Sequence, residues 1–191
     1  DFKERIVIDK NIAVEGGGVY EMPVGQVLTL AQLLELMIVQ SDNTATNIII
    51  DKLGMDNINR NIRWQLGMFD TSLQRKMMDF DAVKQGRQNY TSVKDMGLVL
   101  EKLYYKQAVS DEASQSIINT MLKLEDNTCI PAQMPHQVKV AHKTGQLDGQ
   151  YYDAAIVYAP RNHYILVIMA DNVTNEPQAL YDISNISRVI Y

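Results

Sequence analysis

Cysteine is almost absent from this chain of 191 residues, since Cys129 stands alone. No disulfide can therefore form within the chain, and we expect Cys129 to be a small, partly buried loop residue rather than a reactive thiol. No run of about 20 apolar residues occurs, so a membrane span is not expected. The opening residues DFKERIVIDK do not have the pattern of a signal peptide, and an export signal would have to lie upstream.

A basic cluster is also missing. Lysine and arginine are scattered through the sequence and the formal net charge is −5, so no nucleic-acid partner is expected. His136, His142 and His163 do not have the spacing of metal ligands, and neither a metal nor another cofactor is predicted. What is present is the composition of a folded globular protein, 46% apolar and 21% charged.

Helical periodicity dominates the sequence up to about residue 124. It begins at Thr29, which forms a capping-box pattern with Gln32, and Asp56 is predicted to cap the third helix. Gly16-Gly17-Gly18 is interpreted as a flexible turn. Helices are predicted over residues 29–40, 43–54, 56–67, 92–106 and 110–124, with a long self-packed loop over residues 70–90.

From Val138 the pattern changes to that of β-strands. Three segments, VKVAHKT, DAAIVYA and YILVIMA, are rich in β-branched and aromatic residues and are separated by turn residues such as Asp148-Gly149. After Pro177, apolar residues recur at helical spacing. Three antiparallel strands followed by a C-terminal helix are therefore predicted.

Two tripeptides stand out: Ser41-Asp42-Asn43 between two predicted helices and Lys143-Thr144-Gly145 at the end of a predicted strand. Taken singly, the first is explained as a helix cap and the second as a strand followed by a turn. Together with an upstream S-x-x-K, they are the signature of class A β-lactamases and penicillin-binding proteins. The segments around them, VGQVLTLAQLLELMIVQSDNTATNIIIDKLG and VKVAHKTGQLDGQYYDAAIVYAP, also resemble that family. The resemblance extends over essentially all of the chain.

The resemblance implies an α+β fold of the β-lactamase/transpeptidase-like type. It would form a single domain over residues 1–191, incomplete at its N-terminus, with a helical subdomain over residues 28–137. Residues 138–191 would form the antiparallel sheet and the C-terminal helix that flanks it. No S-x-x-K occurs, and Thr91-Ser92-Val93-Lys94 indicates only a helix start. We therefore expect the nucleophilic serine and two strands upstream of Asp1, unless evolution has removed them. A missing N-terminal segment or a second copy would complete the sheet.

The resemblance also implies roles for the first motif. Ser41 would be a catalytic hydroxyl that relays a proton to the departing lactam nitrogen. Asn43 would bind the amide side chain of the substrate, and Asp42 would be a structural brace that hydrogen-bonds the turn.

For the second motif, the resemblance implies that Lys143 supplies a positive potential in the catalytic site and that Thr144 hydrogen-bonds the substrate carboxylate. Gly145 would let the strand approach the substrate closely. Gln146 corresponds to the position whose backbone N–H binds the oxyanion.

The loop over residues 70–90 departs from the family pattern. Class A β-lactamases carry a glutamate here that activates the deacylating water, followed four residues later by an asparagine, whereas this chain has Met77 near the first position and Asp81 near the second. Asp79 or Asp81 is a candidate substitute base.

The expected function is therefore that of a serine hydrolase that cleaves β-lactams through an acyl-enzyme, located in the cell envelope or outside the cell. One alternative is a penicillin-binding or D,D-peptidase-like protein that is acylated and deacylates slowly, with a β-lactam or a peptidoglycan peptide as its substrate. The other alternative is a non-catalytic module that binds cell wall or ligand.

Overall fold

A computed structural model describes residues 1–191 and shows two compact units, Asp1–Thr91 and Ser92–Tyr191. The boundary between them lies inside the predicted helical subdomain, so the division at residues 137 and 138 and the single domain stay predictions. The first unit contains the short strands β1 (Arg5–Val7) and β2 (Val27–Thr29) and the helices α1 (Leu30–Val39), α2 (Asn43–Leu53), α3 (Met55–Trp64) and α4 (Phe80–Lys84).

The core of the first unit forms where the N-terminal segment packs against α1 and α2. The strands β1 and β2 are antiparallel, and Leu28 of β2 is buried together with Leu33 of α1 and Ile48 of α2. The predicted capping box is confirmed, because the Thr29 hydroxyl accepts from the Gln32 N–H and the Gln32 side chain accepts from the Thr29 N–H. These contacts fix the start of α1, whose far end leads into the first motif.

The second unit is built on an antiparallel sheet in the order β3-β4-β5. Its core lies between this sheet and the C-terminal helix, with Ala155 and Val157 of β4 and Ile183 of that helix fully or almost fully buried. The elements are α5 (Val93–Tyr104), α6 (Asp111–Met121), a 3-10 helix (Ile130–Gln133), β3 (Lys139–Leu147), β4 (Gln150–Tyr158), β5 (His163–Ala170) and α7 (Glu176–Ile190). The predicted α+β fold is confirmed.

Two local predictions are corrected. Asp56 does not cap α3: the helix starts one residue earlier, its N-cap is Gly54, and Asp56 lies in the first turn. A carboxylate in the first turn favours a helix electrostatically without being its cap, which explains the shift. The loop over residues 70–90 is not entirely irregular, because Asp79 caps the short helix α4 inside it.

Candidate active site

Ser41-Asp42-Asn43, which we call the S-D-N turn, joins α1 to α2. Ser41 is exposed and has a left-handed backbone, with a φ of 54°. This conformation is costly for a residue that carries a Cβ and persists where the surroundings impose it. The Asp42 N–H donates to the Leu36 carbonyl at 3.2 Å, which ties the turn to the last turns of α1.

Asp42 is the fully buried support of the turn. One carboxylate oxygen accepts from the Ala45 N–H at 2.7 Å and caps α2, and the other accepts from the Val19 N–H at 2.8 Å. The prediction that Asp42 braces the turn by hydrogen bonding is therefore confirmed. The bond to Val19 joins segments that lie far apart in the sequence.

Asn43 is held by the glycine-rich segment. Its backbone N–H donates to the Gly16 carbonyl at 2.8 Å, and its Nδ2 donates to the Glu15 carbonyl at 2.8 Å. Gly16-Gly17-Gly18 lies in bends and a turn, as predicted, and the segment packs against the S-D-N turn; its flexibility stays a prediction. The sequence offered only the run of glycines as a signal for this contact.

Several contacts hold the loop over residues 70–90, among them the Ser72–Tyr90 backbone bridge and two hydrogen bonds between Asn59 and Leu73. At its neck, Asn89 Oδ1 accepts from the N–H groups of Gln74 and Arg75 at 2.8 and 3.0 Å, and Asn89 Nδ2 donates to the Arg75 carbonyl. In its middle, Asn47 of α2 receives the Met77 N–H at 2.7 Å and donates to the Met77 carbonyl at 3.0 Å. The residue of this loop whose backbone α2 holds in place is therefore Met77, which has an apolar side chain.

The two candidate carboxylates of this loop have other partners. Asp79 accepts from the Ala82 N–H at 2.9 Å as the cap of α4. The side chain of Asp81 is 82% exposed and lies 3.0 Å from Lys84 Nζ on the same short helix. This placement gives neither residue an arrangement typical of a catalytic base, which is usually buried or aimed at its reaction partner. Their assignment stays a prediction.

Lys143-Thr144-Gly145 lies within β3 rather than at its end, because the strand continues to Leu147. Lys143 Nζ donates to the Thr144 carbonyl at 2.8 Å. Burial lowers the pKa of Lys143, and the nearby carboxylates of Asp126 and Asp153 oppose that shift. Since β3 is an edge strand, half of its backbone N–H and C=O groups have no partner in the sheet.

Thr144 and Gln146 lie on the face of β3 opposite Lys143, because successive residues of a strand alternate between faces. They border a cavity of about 290 Å³ that also has the carboxylates of Asp126 and Glu176 in its wall. Burial raises the pKa of Asp126, but hydrogen bonds from Thr128 and Thr144 outweigh it and the pKa is lowered. At Gly145, an added Cβ would lie no closer than 3.7 Å to Tyr152, so no contact within the protein requires glycine there.

A buried histidine–carboxylate pair beside the motif was missed by sequence reasoning. His142 and Asp153 are each 1% exposed, and His142 Nδ1 lies 3.1 Å from Asp153 Oδ1. The other carboxylate oxygen accepts from the Ile130 N–H at 3.0 Å. The local role predicted for His142 is confirmed, but its partner could be found only from the register of β3 and β4. His163 lies 2.9 Å from the Tyr104 hydroxyl, and His136 is exposed.

Cys129 is more buried than expected, at 4% exposure. Burial raises the pKa of its thiol to about 11, with a smaller contribution in the same direction from Asp153. A thiol with so high a pKa is almost entirely protonated near neutral pH and is a poor nucleophile.

No group of three or more His, Cys, Asp or Glu side chains could hold a metal ion, and none of the helices is long and apolar enough to cross a membrane.

The family model of the Beta-lactamase enzyme family matches residues 1–191. Among curated proteins, a β-lactamase of Phocaeicola vulgatus is 26% identical over 179 residues, which are 86% of this chain and 56% of that protein. β-Lactamase ROB-1 of Haemophilus influenzae is 31% identical over 160 residues, 80% of this chain and 52% of that protein. The chain spans little more than half the length of these relatives.

Solved structures agree with the fold. A β-lactamase of Sphaerobacter thermophilus superposes with a TM-score of 0.92 at 28% identity, covering 100% of this chain and 73% of that one. The protein PBP-A superposes with a TM-score of 0.89 at 27% identity, covering 100% of this chain and 71% of that one. A mutant of PBP-A has been solved as an acyl-enzyme complex with penicillin G.

Proposed function

Because this chain belongs to the β-lactamase enzyme family, we propose that it carries the substrate-holding part of a serine hydrolase that opens β-lactams through an acyl-enzyme. The observation that carries the proposal is the S-D-N turn. Ser41 is exposed in a strained left-handed conformation that the buried Asp42 stabilises, and such strain clusters at functional sites. The family model matches the whole chain, which supports a catalytic role for this turn.

In this proposal the two ends of the turn act on different parts of the substrate. The Ser41 hydroxyl relays a proton: it donates its own proton to the lactam nitrogen as the amide bond breaks, and it regains one from the proton that leaves the attacking serine. Asn43 has one Nδ2 proton and its Oδ1 left after its bond to Glu15, and these polar groups bind the amide side chain of the substrate.

The strand β3 has an electrostatic role in the proposed function. Lys143 provides a positive potential, and the lowered pKa of its amine makes proton loss easier than for a lysine in water. Thr144 binds the substrate carboxylate, while Gly145 allows close approach. Leu147 and Gln150 flank a two-residue turn and form a hydrogen-bonded pair, so we expect the Gln146 N–H to point to the free edge, where it can bind an oxyanion.

The nucleophile belongs, in this proposal, to a segment outside the 191 residues. The chain has no S-x-x-K and spans little more than half the length of its curated relatives, which supports the proposal. The same segment, or a second copy of the chain, would extend the three-stranded sheet. By relation to the family, the protein would act in the cell envelope or outside the cell, on a β-lactam or a peptidoglycan peptide.

A fluorescent penicillin added to the full-length natural protein tests this function. A covalent adduct should form and then decay as the acyl-enzyme hydrolyses. Ser41→Ala should slow acylation by roughly 10²- to 10⁴-fold, the usual contribution of a positioned proton donor. The exposed Ser116→Ala is the matched control and should react at the wild-type rate. Absence of both a covalent adduct and hydrolysis of the penicillin would refute the proposal.

Met77 favours a second candidate, a penicillin-binding or D,D-peptidase-like protein that is acylated and deacylates slowly. Asn47 holds the backbone of Met77 by two hydrogen bonds, and a thioether cannot activate a water molecule. The penicillin G adduct of a PBP-A mutant is consistent with this candidate. A stable adduct of the natural protein would support it, whereas rapid turnover would support hydrolysis.

Asp79 and Asp81 are the remaining candidates for a deacylating base. If either acts, Asp79→Ala combined with Asp81→Ala should slow the decay of the adduct and leave its formation unchanged. Unchanged decay in the double variant would remove both carboxylates from the mechanism.

A further inference from the structure

Two glycines lie directly against the S-D-N turn. Gly16 and Gly17 have φ values of 92° and 118°, conformations that residues with side chains rarely adopt. The space beside them is filled by Asn43 and Asp42. We propose that Gly16 and Gly17 are positioning residues for this turn, and that Gly16, by fixing the Asn43 amide, determines selectivity for substrates with an amide side chain.

The position of the buried Asp42 side chain requires glycine at residue 17. A Cβ at this position would lie 2.5 Å from the Asp42 carboxylate carbon and 2.6 Å from the Asp42 Cα, and it would collide with the Oδ2 that receives the Val19 N–H. Asp42 is fully buried and has backbone partners at both oxygens, so it has no room to move aside. Only glycine lets the segment pass this close to the buried carboxylate.

Gly16 acts on a different atom. A Cβ there would collide with Asn43 Nδ2 and lie 3.3 Å from Asn43 Cγ, but it would meet no backbone atom of the turn. The obstacle is the end of a flexible side chain, which can rotate away. A substitution at Gly16 should therefore leave the turn folded and displace the Asn43 amide from the Glu15 carbonyl.

The position of that amide matters because two bonds already hold the residue. The Asn43 N–H donates to Gly16 and one Nδ2 proton donates to Glu15, which leaves the second Nδ2 proton and Oδ1 in a defined direction. A fixed donor and acceptor pair matches the carbonyl and N–H of a secondary amide. This step rests on the proposed function, in which Asn43 faces the acylamino group of the substrate.

The experiment compares acylation of the full-length natural protein by benzylpenicillin, which has an amide side chain, and by 6-aminopenicillanic acid, which has none. Gly16→Ala should lower kcat/KM for benzylpenicillin roughly threefold to tenfold, the usual worth of one hydrogen bond, and change that for 6-aminopenicillanic acid much less. Gly25→Ala is the matched control: Gly25 also has a positive φ, 86°, but nothing lies within 4 Å of an added Cβ.

A double-mutant cycle separates positioning from general damage. If Gly16 acts through Asn43, Gly16→Ala should add no further loss of selectivity to Asn43→Ala. Additive losses, or equal losses for both penicillins, would overturn the proposal.

A second readout does not depend on activity. In an NMR spectrum of the full-length natural protein, the Asn43 side-chain amide protons should move on Gly16→Ala and stay in place on Gly25→Ala, because only the first change breaks the bond to Glu15. An unmoved Asn43 signal in Gly16→Ala would overturn the proposal. If neither penicillin reacts with the wild-type protein, the proposed function fails, and the NMR comparison still decides whether Gly16 positions Asn43.

Discussion

Replacing Asp42 with alanine should destabilise the protein far more than removing an ordinary helix cap. The change removes the N-cap bond from Ala45, worth about 1 kcal/mol. It also leaves the N–H of the buried Val19 without an acceptor, at a cost of about 1–3 kcal/mol. The expected loss is therefore about 2–4 kcal/mol. For a chain of this size, that lowers Tm by roughly 5–15 °C.

The assay is urea unfolding followed by circular dichroism, with Ser110→Ala as the matched variant. Ser110 caps α6 through its hydroxyl and the Ala113 N–H, but it is exposed, so its loss should cost about 1 kcal/mol. The midpoint of Asp42→Ala should fall by at least twice as much, with similar m values. Equal shifts in the two variants would show that the buried bond to Val19 contributes nothing, and the reasoning would be refuted.

Three further outcomes follow from the contacts. Asn89→Ala removes three of the hydrogen bonds at the neck of the loop over residues 70–90, and limited proteolysis should cut that loop faster than in wild type. Cys129, with its raised pKa, should react with iodoacetamide at pH 8 at least tenfold more slowly in the native than in the urea-unfolded protein; equal rates would contradict its burial. The lowered pKa of Asp126 contributes stability that is present above about pH 4 and lost as pH falls through the folded pKa, so Asp126→Asn should flatten that acid-side decline in urea midpoints.

Sequence reasoning succeeded where a signal is local. The capping box of Thr29 and Gln32, the runs of β-branched and aromatic residues in the three long strands and the C-terminal helix all depend on residues within a few positions of one another, and the structure has each of these elements. The S-D-N turn also has a local signal, because capping residues interrupt an apolar stripe. The prediction that Asp56 caps α3 was wrong because a carboxylate in the first turn of a helix and a carboxylate at its N-cap have similar sequence signatures.

Contacts between distant segments could not be predicted in the same way. The bond from Asn43 to Glu15 joins residues 28 positions apart, and nothing in either segment specifies the other. The pairing of His142 with Asp153 requires the exact register of β3 and β4. A run of glycines is ambiguous for a further reason: it is compatible with a mobile turn and with a backbone that must pass close to a buried group, and only the three-dimensional packing distinguishes the two.

A buried carboxylate supports each of the two motifs. Asp42 receives the Val19 N–H and Asp153 receives the Ile130 N–H, each across 23 residues, and both carboxylates are at most 1% exposed. Each also bonds a group within two residues of its motif, the Ala45 N–H for Asp42 and the His142 ring for Asp153. Burying a carboxylate is costly unless its oxygens are paired, so each of these acids strongly favours the one chain path that supplies its donors. The residues proposed to meet the substrate can then be exposed or strained, because their geometry is determined by neighbours that water does not reach.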